Sequence, residues 1–320
     1  MKKVALITGI TGQDGAYLAT LLLKKNYQVI GITRGAPFED LWRLNYFGIT
    51  KKITFIKGSV LDQDFVSKIL KKYQPTELYN LVGQSSVARS WERPRETQEI
   101  NFGAVIVMLE AIRTVSPKTK FFQASSAEIY GQTKGVLTEK NTTFNPLNPY
   151  AVSKAAAHQS VDLYRDHFGL FAVNGILFNH ESPLREDFFV TKKIVQGVAA
   201  IARGELKSIS LGNLNSKRDF GYAADFVEAM WRLLQLAKPR NMVICTGYSY
   251  SIAQFVAAAL AEIGIKKWRQ YVTIDQSLVR KKEVKAMRGD HRALTKVTGW
   301  KPSVSFAGLV KLMVDFELRK

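Results

Sequence analysis

Two side chains four residues apart, Tyr150 and Lys154, can share one face of a helix and move a proton between them. A phenol with its ordinary pKa near 10 is a poor base at neutral pH, and a nearby cation favours its phenolate. Upstream stands Ser125-Ser126-Ala127-Glu128-Ile129-Tyr130-Gly131, with a hydroxyl at Ser126 and a carboxylate at Glu128. The Tyr-Lys pair suits removal of a hydroxyl proton while hydride leaves the same carbon. A carboxylate beside it suits elimination, in which a second proton is taken from carbon and given to a departing hydroxyl. A hydride needs a carrier. The stretch Thr8-Gly9-Ile10-Thr11-Gly12-Gln13-Asp14-Gly15 has the glycines that let backbone approach a dinucleotide pyrophosphate.

These groups need a scaffold that brings strand ends together. Strand-like runs at 3–8, 28–33, 53–56, 77–82, 120–124 and 171–177 alternate with helical patterns at 16–25, 62–73, 94–115 and 149–168. Asp62 reads as a helix cap. The alternation predicts an α/β fold, a Rossmann-like doubly wound parallel sheet, over residues 1–177. Residues 178–320 carry helical patterns at 191–203, 223–236, 252–263 and 306–316 and short strands at 208–211, 241–246 and 271–274. They predict a smaller C-terminal α/β substrate-binding lobe, partly interwoven with the first domain. In such a sheet ligands lie at the carboxyl ends of the strands, which puts Ser126 and Glu128 in the crevice. The second strand ends in Thr33-Arg34-Gly35 with no acid. A carboxylate there would hold a ribose 2′-hydroxyl and a guanidinium suits a 2′-phosphate, so Arg34 points to NADP rather than NAD.

The 320 residues carry 46 Lys+Arg against 27 Asp+Glu, a formal charge of +19. That balance favours anionic partners, phosphorylated metabolites among them. The lysines fall in scattered pairs such as Lys24-Lys25 and Lys266-Lys267, without aromatic interleaving, so no nucleic-acid partner is expected. No run reaches the roughly 18 apolar residues that span a membrane. The short apolar run 4–7 after Met1-Lys2-Lys3 stops at Thr8-Gly9, which argues against a signal peptide. One cysteine, Cys245, excludes an intrachain disulfide. A cytoplasmic protein with no membrane partner is the expectation.

The glycine fingerprint and the Tyr-Lys pair resemble the extended short-chain dehydrogenases/reductases. Longer stretches resemble the GDP-mannose 4,6-dehydratase family within them. These are Ala5–Leu18, Tyr79-Asn80-Leu81, Gln84-Ser85, Gln123-Ala124-Ser125, Asn148–Val152, Phe189-Val190-Thr191, Leu211-Gly212-Asn213, Arg218-Asp219, Gly299–Pro302 and above all Gly175–Pro183, which contains Asn179-His180-Glu181-Ser182-Pro183. The resemblance implies dehydration of GDP-mannose through bound NADP, with Ser126, Glu128, Tyr150 and Lys154 catalytic. It implies that Gly9, Gly12, Gln13, Asp14 and Gly15 hold the cofactor phosphates and ribose. Arg34, Ser59, Val60, Val82, Gly83, Gln84, Ser85, His180 and Arg185 complete the cofactor contacts. Ser85 also faces the sugar, as do Ser126 and Glu128. Asn179, Val190 and Lys193 meet the GDP part, Arg218 and Arg280 clamp its diphosphate, and Glu283 faces the nucleotide. No metal is implied. A homodimer or homotetramer is, with the helices at 94–115 and 149–168 pairing. The chain departs from the family at Gly35, Ser59 and Ser126 and across 280–283. This leaves GDP-manno-heptose open as the substrate, and a GDP-sugar reductase or epimerase open as the activity.

Overall fold

Val4–Thr8, apolar as far as Ile7, buries almost completely and forms an interior strand of the sheet. The computed structural model describes residues 2–35, 41–133, 135–140, 143–279 and 284–320. Strands β1 (Val4–Thr8), β2 (Gln28–Thr33), β3 (Ile53–Lys57), β4 (Glu77–Asn80), β5 (Lys120–Ser126) and β6 (Ala172–Leu177) all run parallel. Further on come β7 (Asn179–Glu181), β8 (Ile209–Leu211), β9 (Lys217–Arg218), β10 (Phe220–Tyr222) and β11 (Met242–Ile244), then β12 (Tyr250–Ser251) and β13 (Val272–Ile274). The central sheet has the order β11-β6-β5-β4-β1-β2-β3. Its direction of winding reverses between β1 and β4, the point at which such sheets open a crevice.

The helices are α1 (Gln13–Lys24), α2 (Trp42–Tyr46), α3 (Gln63–Tyr73), α4 (Val87–Glu92), α5 (Pro94–Gln98), α6 (Ala104–Val115) and α7 (Pro149–Phe168). The C-terminal half adds α8 (Val190–Ala202), α9 (Ala223–Leu234), α10 (Ile252–Ala261), α11 (Arg292–Thr298) and α12 (Phe306–Leu318). Local chemistry sets several boundaries. Asp62 Oδ1 accepts from the N–H groups of Asp64 and Phe65 at 3.0 Å and caps α3. Asn148 caps α7, Pro149 takes the first turn, where its missing N–H costs nothing, and Gly169 ends the helix in the left-handed region.

Alternate side chains of β5 enter opposite layers. Phe122 joins a core with α1 and α9, and Phe121 one with α3, α6 and α7. Either ring is fully buried, so truncation to Ala would cost about 3–5 kcal/mol. A third apolar cluster joins α8, α10 and α12 over β8 and β10.

Two expectations are revised. The helix read at 94–115 breaks into α5 and α6 around a π-helical turn, Glu99–Gly103. One inserted residue leaves the apolar spacing nearly intact, so periodicity does not reveal it. The strand read at 241–246 does not belong to the smaller lobe. Its Met242–Ile244 pairs with β6 and closes one edge of the central sheet. Among the described residues, no helix is long and apolar enough to cross a membrane.

Candidate active site

The turn between β1 and α1 is built from backbone. Gly9 has φ +69°, and a Cβ there would sit 2.7 Å from the Leu81 carbonyl oxygen. A Cβ on Gly15 would lie 2.4 Å from Gly9 O. Gly12 precedes α1 without a capping side chain, so the first N–H groups of the helix are left for a ligand. Asp14, in that first turn, accepts from His180 Nε2 at 2.7 Å, and His180 Nδ1 donates to Phe178 O at 2.7 Å. Burial pulls the His180 imidazole down, but the Asp14 charge and hydrogen bond outweigh it and hold it above its usual value. Burial likewise opposes ionisation of Asp14, and His180 outweighs that, keeping the carboxyl low. Gln13 joins in: its Nε2 donates to His180 O at 3.1 Å and its Oε1 accepts from Ser182 Oγ at 2.7 Å. The glycine turn and the Asn179–Pro183 segment are thus one hydrogen-bonded unit.

Ser126 ends β5, and its Oγ accepts from the Glu128 N–H at 3.2 Å, opening a 3₁₀ turn, Ala127–Tyr130. This local bond swings the Glu128 carboxylate beside α7, where Asn148 Nδ2 donates to its Oε2 at 3.5 Å. Tyr150 and Lys154 project from the first turns of α7. The Lys154 ammonium sits 5.9 Å from the centre of the Tyr150 ring and donates to Ala124 O at 2.9 Å. Burial pushes the Tyr150 phenol up to about 12; the Ser126 hydrogen bond opposes this and the Glu128 charge adds to it. Burial pulls Lys154 down to about 8, with Asp14 opposing. The spacing led to the expectation of a phenolate favoured by Lys154. Burial opposes that phenolate, while the Ser126 hydrogen bond favours it.

A cavity of ≈ 570 Å³ unites these groups. It is lined by Gly9, Gly12, Gln13, Asp14 and Gly15, by Gly83, Gln84 and Ser85, and by Ser126, Glu128, Tyr150 and Lys154. Asn179, His180, Arg185, Val190, Lys193 and Arg218 line the remainder. Arg218 Nη1 donates to Val284 O at 2.8 Å, which ties that guanidinium to the 284–287 segment. Four expected cofactor residues do not line this cavity. Arg34 and Ser59 are exposed beyond the ends of β2 and β3, and Val60 is buried in the α3–α6 core. Val82 donates its N–H to Thr8 Oγ1 at 3.3 Å. Arg280 and Glu283 lie outside the described residues.

Three supports escaped the sequence. Arg43 on α2 is buried and reaches three ways: Nε to Leu184 O at 2.8 Å, Nη1 to Thr11 O at 3.3 Å and Nη2 to Glu186 at 2.9 Å. It clamps the glycine turn to the segment after Ser182. Asn101, in the π-helical turn, bonds both the N–H and the carbonyl of Gln84, at 2.8 and 3.0 Å, and Ser153 Oγ at 3.0 Å. His158, two turns beyond Tyr150, meets Ser125 Oγ at 2.9 Å. Asn241 Oδ1 accepts from Asn174 N and Arg165 Nη1, so its Nδ2 faces His158 Nε2 at 3.3 Å. His158 Nε2 is therefore the acceptor and Nδ1–H donates to Ser125, joining β5 to α7. None of these lies in a recognisable motif.

The glycine turn, tight enough to exclude a Cβ, and the uncapped helix start fit a dinucleotide pyrophosphate. The family model described as GDP-mannose 4,6 dehydratase matches residues 6–313. The chain is 41% identical over 327 residues to GDP-mannose 4,6 dehydratase 2 of Arabidopsis thaliana, covering 99% of this chain and 87% of that one. Its fold matches dTDP-glucose 4,6-dehydratase of Bacillus anthracis in complex with NAD, with a TM-score of 0.86 at 18% identity over 99% of this chain and 97% of that one. It also matches RMD from Pseudomonas aeruginosa complexed with NADPH, with a TM-score of 0.82 at 22% identity over 99% of each chain. Identities this low speak for the fold alone. The sequence match, extending through both the glycine turn and the Tyr150–Lys154 helix, goes further: this chain belongs to the GDP-mannose 4,6-dehydratase family.

Proposed function

We propose that this chain converts GDP-mannose to GDP-4-keto-6-deoxy-mannose and water with NADP as an internal hydride carrier, the work of a hydro-lyase. The observation that carries the reading is the convergence of Glu128 with Tyr150, Lys154 and Ser126 in one cavity. A 4-reductase or epimerase has no use for that carboxylate. Bound NADP would supply the hydride chemistry, as acceptor from C4 and donor to C6. Tyr150 takes the proton of the C4 hydroxyl. The Ser126 hydrogen bond already favours the phenolate against burial, and Lys154 is the cation within reach. The C4 ketone acidifies C5–H. Glu128 removes that proton and delivers it to the departing C6 hydroxyl, and after hydride return a proton is restored to C5. The proton returned to C5 balances the one that Tyr150 took from the C4 hydroxyl, so the catalytic groups end as they began, one water leaves and no net oxidation occurs.

Gly9 to Gly15 with His180 and Arg185 would hold NADP, and Arg34 favours its 2′-phosphate over NAD. Asn179, Val190, Lys193 and Arg218, together with Arg280 and Glu283, would hold the GDP moiety. A homodimer or homotetramer in the cytoplasm completes the reading. On α7, Leu163 is 67% and Phe168 45% exposed, apolar surface that suits helix pairing.

The test is mass spectrometry of GDP-mannose incubated with the enzyme and no added reduced cofactor, where a product lighter by one water is expected. Glu128→Gln should keep nucleotide-sugar affinity and lose about 10²–10⁴-fold in dehydration rate. Undiminished dehydration in that variant would remove Glu128 from the mechanism.

A further inference from the structure

Lys57 is the last residue of β3 and pairs in register with Thr33, the last of β2. The Gly58 N–H donates to Thr33 O at 2.9 Å and keeps the two strand ends together. Arg34 and Gly35 follow Thr33. Gly35 has φ +90°, where other residues are strained, and a Cβ there would lie 2.2 Å from Lys57 Cε and 2.8 Å from Nζ. The Lys57 side chain therefore folds across the end of β2 and rests on Gly35, carrying its ammonium to the residue after Arg34. Arg34 and Lys57 are both exposed, and among the described residues no carboxylate pairs with either. Ser59, just past β3, contributes a hydroxyl that accepts from the Leu61 N–H at 3.2 Å.

In a doubly wound sheet the end of the second strand meets the adenosine ribose. A free 2′-hydroxyl there calls for an acceptor and a 2′-phosphate for cations. Here, among the described residues, the strand end offers two cations and no acid. We propose that Lys57, held in place by Gly35, acts with Arg34 to bind the 2′-phosphate of NADP and so sets the preference for NADP over NAD. The proposal rests on the reading that the glycine turn holds a nicotinamide dinucleotide. Because the stem of Lys57 already lies on Gly35, little of its freedom is lost when the phosphate arrives.

Calorimetric titration of the nucleotide-free protein with NADP, NAD, 2′,5′-ADP and ADP tests this without turnover. Lys57→Met should weaken NADP and 2′,5′-ADP by about tenfold or more, as expected for a lost charge-assisted contact, and leave NAD and ADP unchanged. Lys57→Glu should go further in the same direction. Gly35→Ala, which displaces Lys57, should mimic Lys57→Met. Unchanged NADP affinity in Lys57→Met, or equal losses for NADP and NAD, would overturn the role of Lys57. A wild-type protein that binds NAD as tightly as NADP would overturn the NADP reading itself, and Lys57 with it.

Discussion

Lys154 is 6% exposed, and burial lowers it from 10.5 to about 8. At pH 7 the folded protein therefore holds a buried ammonium at a cost of about 3 kcal/mol relative to the unfolded chain. Lys154→Met keeps the length and apolar stem and removes the charge. It also removes the hydrogen bond to Ala124 O, about 1 kcal/mol. The variant should be inactive and yet more stable at pH 7 by about 2 kcal/mol. The pH dependence carries the sign. The folded-state value lies below the unfolded one, so between pH 8 and 10.5 the unfolded chain binds the extra proton and wild-type stability rises across that window. Near pH 10 the burial cost has shrunk to about 1 kcal/mol or less, and the advantage of Met should vanish. Urea unfolding of nucleotide-free wild type and variant at pH 7 and pH 10 measures both differences. A Met variant less stable than wild type at pH 7, or with the same advantage at both pH values, would refute the reasoning.

In Asp14→Asn, burial of His180 remains while the opposing carboxylate is gone, so its imidazole should titrate below 6.5 instead of above. NMR titration of the His180 ring checks the direction, and a value still above 6.5 would mean that Asp14 is not what raises it. Gly15→Ala would force a Cβ to within 2.4 Å of Gly9 O and 2.5 Å of Ile10 Cα, both backbone atoms. It should cost about 1–3 kcal/mol in thermal unfolding and abolish dinucleotide binding; wild-type affinity by calorimetry would show that the turn is looser than this geometry.

Much of the scaffold was legible because its signals are local. Asp62 caps the helix it precedes, and residues 149–168 form one helix, as their pattern predicts. Tyr150 and Lys154 share a face because four residues make about one turn. Elsewhere local signals were silent. The π-helical turn at 99–103 conserves the apolar pattern while turning Asn101 onto Gln84. Residues 242–244 look like any short strand, and only the open edge of β6 places them in the main sheet. Arg43 and His158 act through backbone and side-chain partners up to 141 residues away.

By itself the sequence determined the fold class, the dinucleotide turn and the family, since these depend on residue types at fixed short spacings and on identity along the whole chain. Only the tertiary structure decided how the groups meet. It joined the glycine turn to the Asn179–Pro183 segment through Asp14 and His180, raised the proton affinity of the Tyr150 phenol by burial, and laid Lys57 on Gly35 at the end of β2. The reason is physical: proton affinities and ion pairs depend on burial and on distances between residues far apart in the chain, and those quantities exist only once the layers have packed.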